Sequence, residues 1–215
     1  MGSPGRVAAR RRRARGDDAR RPPGAGCRAD ARAVRQGRQD GRRPAGRDAI
    51  YPEGDFAERL RSLAGLIAQP LGIRVATVEA PGDYDTHDDQ PKELDEAMRE
   101  LSQGLAAFQA DLEARGVADR VLTFVWSEFG RRPASNESAG TDHGAGGIAW
   151  VQGTRVRGGI LSDMPDLGAL DRDDNLAVTL DFRRVYASLL EGWMGTDAGE
   201  VLPDAATAGR LALVR

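Results

Sequence analysis

The strongest constraint on folding is that the first fifty residues contain almost no side chains that could form a core. Apart from alanine and the terminal Ile50, the apolar side chains there are Met1, Val7, Cys27 and Val34. Burying so few apolar groups cannot offset the roughly 1–2 kcal/mol of backbone entropy that each ordered residue loses. We therefore expect residues 1–50 to be a disordered tail and residues 51–215 to form the globular part.

Charge divides the chain at the same point. Fifteen Arg and five Asp give residues 1–50 a formal charge of +10, whereas the remaining residues carry −12. An arginine-rich arm is typical of proteins that bind nucleic acid or another anionic surface, but no aromatic residue is interleaved for base stacking. Since thirty Arg stand against one Lys, a GC-rich gene and a mistranslated leader are a second interpretation. We favour a solvated or mistranslated tail over a nucleic-acid arm.

The sequence contains no recognisable export signal or membrane span. The arginine run at residues 10–13 lacks the following apolar stretch of about 7–15 residues that a signal peptide needs. No segment approaches the roughly 20 apolar residues of a transmembrane helix. The single cysteine, Cys27, excludes an intrachain disulfide and a thiolate metal cluster. These features do not specify the cellular compartment of the protein.

Beyond residue 50 the hydrophobic pattern alternates between helix and strand. Apolar residues at three- and four-residue spacing predict amphipathic helices at about residues 55–67 and 91–115. Apolar runs of strand length follow at 73–78 and 121–126, with a shorter run at 148–151 and a last helix at 180–194. This order is typical of an α/β fold, so we expect a partial doubly wound parallel sheet flanked by helices, with ligands at the carboxyl ends of its strands.

Both histidines of the chain lie in acidic, glycine-flanked motifs. Asp85 and His87 occur in Gly-Asp-Tyr-Asp-Thr-His-Asp-Asp-Gln, and Asp142 and His143 occur in Gly-Thr-Asp-His-Gly. Carboxylate oxygen and imidazole nitrogen are common ligands of zinc and other divalent metals. In the second motif the Asp could bind the ion or orient the imidazole. The alternative is a pair of solvated turns with exposed histidines.

A third polar run follows the apolar segment 121–126. Glu128 is either solvated or directed into a cleft, and Ser127 is better explained as a strand cap than as a nucleophile because no histidine lies nearby in sequence. Arg131 and Arg132 could bind a phosphate or sulfate group in the bidentate manner that guanidinium favours, or form a solvated pair.

These motifs together resemble a known family. Gly-Asp-Tyr-Asp-Thr-His-Asp-Asp-Gln, Ser-Glu-Phe-Gly-Arg-Arg, Asn-Glu-Ser-Ala-Gly-Thr-Asp-His-Gly, Val-Arg-Gly-Gly and Asp-Phe-Arg-Arg-Val-Tyr occur here in order. In this order and spacing they resemble the C-terminal part of the bacterial family catalogued as domain of unknown function 1501, over about residues 55–203. That family is similar to a branch of the alkaline phosphatase and sulfatase superfamily.

The resemblance implies a site at the sheet edge with one or two divalent metals, zinc or else calcium, magnesium or manganese. Asp85, His87 and His143 would bind one ion, Glu128 would serve the other, and Asp142 would replace a missing ligand or support His143. Arg131 would stabilise the anionic oxygens of a small phosphate or sulfate ester.

The resemblance also implies that the nucleophile region of the superfamily is missing from this sequence. Superfamily members carry the nucleophile on an N-terminal strand, and no Asp-rich strand end followed by a nucleophile precedes residue 55. We therefore expect an incomplete metal-dependent hydrolase with little or no turnover. The alternatives are a non-catalytic binding or scaffold protein of the same fold, and a protein that binds anionic surfaces through its tail.

Overall fold

A computed structural model describes residues 49–215, apart from the side chain of residue 206. The expected tail therefore lies outside the described residues, except for its last two positions. Two long helices come first: α1 spans Asp55–Ile67 and α2 spans Gln90–Ala114. Both confirm the periodicity predictions to within one or two residues. Pro91 lies in the first turn of α2, where its missing N–H leaves no helical hydrogen bond unmade.

The main hydrophobic core lies between α1 and α2. Phe56 and Leu60 of α1 belong to the same buried cluster as Leu101, Leu105, Phe108 and Leu112 of α2. Gly104 allows the close approach, because a methyl group at that position would come within 2.7 Å of the Phe56 ring. The helix pair therefore forms a stable base for the loop that connects its members.

A buried ion pair lies at the C-terminal end of α2. The guanidinium of Arg115 donates from Nε to Asp111 Oδ1 at 2.7 Å, and the Tyr51 hydroxyl donates to Asp111 Oδ2 at 3.1 Å. The Asp111 side chain is completely inaccessible to solvent. Burial, with Asp111 beside it, raises the pKa of Tyr51 above its ordinary value.

We expect Tyr51 to make stability depend on alkaline pH. Because its pKa is raised by folding, its contribution is fully present below the unfolded tyrosine pKa of about 10 and is lost as pH rises above that value. Urea unfolding of the wild type should therefore show a falling free energy of unfolding above this pH. Tyr51→Phe should remove that part of the slope, and an unchanged slope would contradict the assignment.

The sheet prediction is wrong in direction and extent. Strand β1 is Thr123–Val125, β2 is Gly130–Ser135, β3 is Thr141–Gly144 and β4 is Trp150–Gln152. These form two separate antiparallel pairs, β1 with β4 and β2 with β3. A parallel pair needs a crossover connection, usually a helix, whereas the segment between β1 and β4 contains only the β2–β3 hairpin. The described residues therefore do not form a doubly wound parallel sheet.

The strand predicted at residues 73–78 is also wrong. Residues 72–80 have no regular secondary structure in the described part of the chain. Their apolar, β-branched composition favours a strand, but a strand also needs a neighbour with which to pair, and none of the described segments pairs with it.

The C-terminal part is irregular before it becomes helical. Residues 153–181 form turns and bends, after which α3 spans Phe182–Leu189, a π-helical turn spans Leu190–Met194 and a short helix α4 spans Ala205–Ala208. The predicted helix at 180–194 is thus divided in two. Phe182 is largely exposed, and the buried residues of α3 are Ala187 and Ser188. Within residues 49–215, no helix combines the length and apolar character needed to cross a bilayer.

Candidate metal centre

The loop that leads into α2 exposes two polar side chains on either side of a buried one. Thr86 is only 2% exposed, and its Oγ1 accepts a hydrogen bond of 2.9 Å from Gln90 Nε2. Gln90 Nε2 also donates to Thr141 Oγ1 on β3, at 3.0 Å. Since Thr86 points inward, Asp85 and His87 are held at the surface.

The β2–β3 hairpin supplies the second part of the site. In its register, Arg131 of β2 lies opposite His143 of β3, and Gly130 lies opposite Gly144. A Cβ atom at Gly144 would come within 2.7 Å of the Arg132 backbone nitrogen. Glycine at this position therefore allows the backbones to approach closely.

Backbone hydrogen bonds fix the loop against the hairpin turn. Gln90 N–H donates to Ala139 O at 3.1 Å, and Thr141 N–H donates to Thr86 O at 3.3 Å. The turn comes so close that a Cβ atom at Gly140 would lie 2.1 Å from the carbonyl group of His87. The two histidine motifs, which are distant in sequence, thus lie directly against each other.

The two parts bring Asp85, His87 and His143 together, and we call these three residues the Asp–His cluster. One potential ligand atom from each lies within 4.8 Å of the others. Asp85 Oδ1 is 2.6 Å from His143 Nε2 and 3.1 Å from His87 Nε2. The ring centroids of the two histidines are 4.9 Å apart. All three side chains are about half exposed, so that a cation can reach them from solvent.

The cluster fits the donor set of a divalent metal. Two imidazoles and one carboxylate are a common ligand combination for catalytic zinc, in which the fourth position is left to water or substrate. Ligands about 2.1 Å from a tetrahedral ion are about 3.4 Å apart, so Asp85 and His143 would separate slightly to accommodate one. A hydrogen-bonded network without an ion is the alternative explanation of the same contacts.

Arg131 interacts with the cluster mainly through structural contacts. Its Nη2 donates to Asp85 Oδ1 at 2.9 Å and to the Tyr84 carbonyl at 2.8 Å, while Nη1 donates to the Thr141 carbonyl at 2.5 Å. The guanidinium therefore connects the loop to β3 and orients Asp85. These contacts compete with the expected role of Arg131 in binding a substrate anion, which stays a prediction.

Electrostatics favour the ionised form of Asp85. The hydrogen bond from His143 lowers the pKa of Asp85 most, and the nearby charges of both histidines and Arg131 act in the same direction, whereas partial burial opposes them. A carboxylate that stays ionised is available as a metal ligand.

Asp142 lies behind His87. Its Oδ1 is 3.5 Å from His87 Nδ1, on the side of the ring opposite the nitrogen that faces Asp85. A carboxylate on the second ring nitrogen is the usual partner of a metal-binding histidine. Asp142 is thus placed to support His87, whereas the motif and the family resemblance predict that it supports His143 or binds metal.

Asn136 and Phe129 are site residues that sequence reasoning missed. Asn136 Nδ2 donates to the His87 carbonyl at 2.7 Å, while its Oδ1 accepts from Gly140 N–H at 2.9 Å. The Phe129 ring stacks on the His143 imidazole with centroids 4.3 Å apart and planes tilted by 14°. The sequence signal for Phe129 was its place in Ser-Glu-Phe-Gly-Arg-Arg, and that for Asn136 its place in Asn-Glu-Ser-Ala-Gly-Thr-Asp-His-Gly. Their contacts could not be predicted, because both depend on how the hairpin folds.

Glu128 lies outside the Asp–His cluster. It is exposed in the bend between β1 and β2, and the cluster found among the described residues does not include it. The expectation that Glu128 binds a second metal ion therefore stays a prediction. Ser127 Oγ donates to the Phe129 carbonyl at 2.9 Å, a local hydrogen bond that agrees with its interpretation as a cap.

Comparison with known protein families gives a match over most of the chain. The model of a family described as "Protein of unknown function (DUF1501)" matches residues 6–205, a range that includes both histidine motifs and most of the arginine-rich segment. No curated protein and no solved structure matches.

Proposed function

The chain belongs to the DUF1501 family, and from this premise and the site geometry we propose that it binds a divalent metal through Asp85, His87 and His143. The observation that carries the proposal is the convergence of two imidazoles and a carboxylate from two separate segments within 4.8 Å. The carboxylate of Asp142 on the far nitrogen of His87 supports it further, because this arrangement fixes ring orientation in many metal sites.

We further propose that the site belongs to a hydrolase of phosphate or sulfate esters in the alkaline phosphatase and sulfatase superfamily. A bound metal would polarise an ester oxygen and lower the pKa of a coordinated water toward about 7. Asp85 and the two histidines would hold the ion, Arg131 would keep Asp85 in place, and Phe129 would fix the plane of the His143 ring. With three protein ligands, one position stays open for substrate.

Metal binding is tested by titrating purified metal-free protein with zinc and measuring bound metal by calorimetry and elemental analysis. We expect His87→Ala and His143→Ala each to weaken zinc binding by at least tenfold, since each removes a ligand. Asp88→Ala is the control, because it removes an exposed acid of the same loop that lies outside the cluster. Binding that is unaffected by both histidine substitutions would refute the metal site.

Hydrolysis is tested separately with p-nitrophenyl phosphate and p-nitrophenyl sulfate on the zinc-loaded protein. We expect turnover to be slow at most, and Asp85→Ala to abolish it. If zinc binds at the cluster but turnover does not exceed that of Asp85→Ala, the hydrolase proposal fails, and the non-catalytic alternative, a metal-binding or scaffold protein, takes its place. Nucleic-acid binding through residues 1–50 stays the disfavoured alternative and is untested, because residues 1–48 lie outside the described part of the chain.

A further inference from the structure

The side chain of Gln90 connects the two segments that carry the Asp–His cluster. Gln90 is the first residue of α2. Its Nε2 donates to Thr86 Oγ1 of the loop at 2.9 Å and to Thr141 Oγ1 of β3 at 3.0 Å. Because a primary amide carries two N–H groups, a single glutamine can donate to both hydroxyls at the same time.

The two threonines occupy positions that determine the geometry of the cluster. Thr86 is buried between Asp85 and His87 in the sequence, so its inward direction turns both neighbours outward. Thr141 precedes His143 by two residues on the same short strand. Any shift of β3 against the loop at these threonines therefore changes the distance between the imidazole of the strand and the carboxylate of the loop.

The main chain holds the helix start firmly but joins the two threonines only by a long contact. The N–H groups of Asp89 and Gln90 each donate to a carbonyl of the hairpin turn at 3.1 Å. The Gln90 side chain thus extends from a fixed backbone. By contrast, Thr141 N–H donates to Thr86 O at 3.3 Å, which is longer than most N–H···O hydrogen bonds. The glutamine side chain reinforces the junction where its main-chain bond is longest.

We propose that Gln90 is a positioning residue for the metal centre and sets the distance between Asp85 and His143 through the two threonines. The inference rests on the proposed function, since it assigns a residue that acts on the same cluster. Groups that orient metal ligands typically contribute about 10- to 100-fold in metal affinity. Arg131 and Asn136 also join the loop to the hairpin, so the loss of Gln90 loosens the cluster and does not dismantle it.

Zinc titration of the metal-free full chain tests the proposal, at temperatures well below the unfolding of each variant. Gln90→Leu keeps the approximate size of the side chain and removes both hydrogen bonds, and it should weaken zinc binding roughly tenfold. Gln90→Glu should restore wild-type affinity, because a carboxylate accepts from both threonine hydroxyls once their hydrogens rotate toward it. A purely structural role would lower the unfolding temperature of Gln90→Leu and leave the zinc affinity of its folded state unchanged.

The same helix provides a matched control in Gln109. Its Nε2 also bridges two oxygens, Glu113 Oε1 at 2.8 Å and Thr154 Oγ1 at 3.2 Å. None of these residues belongs to the Asp–His cluster. Gln109→Leu removes a glutamine bridge of the same kind from α2, and it should bind zinc as tightly as the wild type.

Histidine NMR adds a measurement that needs no metal. The chain contains two histidines, and their ring centroids are 4.9 Å apart. A nuclear Overhauser contact between the two rings therefore reports the separation of the loop from β3. The contact should be present in the metal-free wild type, in Gln90→Glu and in Gln109→Leu, and it should be lost or strongly weakened in Gln90→Leu.

The two measurements separate this proposal from the metal site itself. A Gln90→Leu protein that keeps the ring contact, or that binds zinc as tightly as the wild type, would overturn the role of Gln90. The same holds if Gln90→Glu fails to restore the ring contact, or if Gln109→Leu weakens zinc binding as much as Gln90→Leu. A wild type that binds no zinc would refute the metal site, and the ring contact would still decide whether Gln90 holds the two histidines together.

Discussion

Gly140→Ala is expected to lower the free energy of unfolding by about 3 kcal/mol or more and to abolish metal binding at the Asp–His cluster. The added methyl group would lie 2.1 Å from the His87 carbonyl, which is backbone and cannot turn aside as a side chain could. The turn would have to separate from the loop, and His87 would separate from His143. Urea unfolding and zinc titration measure the two effects.

Gly158→Ala is the matched control for this substitution. No atom lies within 4 Å of a Cβ at Gly158, and its backbone conformation is open to other residues. Its effect should stay within about 0.5 kcal/mol, as is usual for surface changes. If Gly140→Ala behaved like Gly158→Ala in both assays, the close packing of turn and loop would not hold the site together.

Asp111→Ala is expected to cost about 3–5 kcal/mol of stability, because it leaves the guanidinium of Arg115 buried without its counter-charge. The Arg115 side chain is only 8% exposed, so water cannot easily replace the carboxylate. The substitution also removes the acceptor of the Tyr51 hydroxyl. Chemical denaturation of both proteins gives the difference directly.

The same helix provides the control for Asp111. Asp95 and Arg99 also form an ion pair one turn apart on α2, but both side chains are more than half exposed. Asp95→Ala should therefore cost no more than about 0.5 kcal/mol, the usual value for an exposed pair of this spacing. Equal losses for the two variants would show that burial does not determine the contribution of the Asp111 pair.

The helices of the base could be predicted from the sequence because their signal is local. The spacing of apolar residues places α1 and α2 within a residue or two, and β1 lies inside the predicted run 121–126. Strand pairing is not local, and this is why the parallel sheet was wrong. Residues 73–78 have the composition of a strand, but composition does not specify a neighbour.

At the site, too, some features could be predicted from the sequence and others depend on non-local strand pairing. The family resemblance implies that His87 and His143 belong to one site, and the structure brings their rings together; whether they bind metal stays a prediction. The roles of Asn136 and Phe129 could not be read from spacing, because they depend on the register of β2 against β3. The role predicted for Glu128 depends on its position at the end of a parallel strand, and the described residues form no parallel sheet.

The buried threonine between Asp85 and His87 has a consequence for how this site can evolve. One inward-facing side chain sets the outward direction of both neighbours, so the carboxylate and the imidazole share Thr86 as an anchor. A mutation at Thr86, or a one-residue insertion beside it, would displace both at once. His143 is held by a different segment and can be lost alone. Relatives in which the site is decaying should therefore lose Asp85 and His87 together, and His143 independently of them.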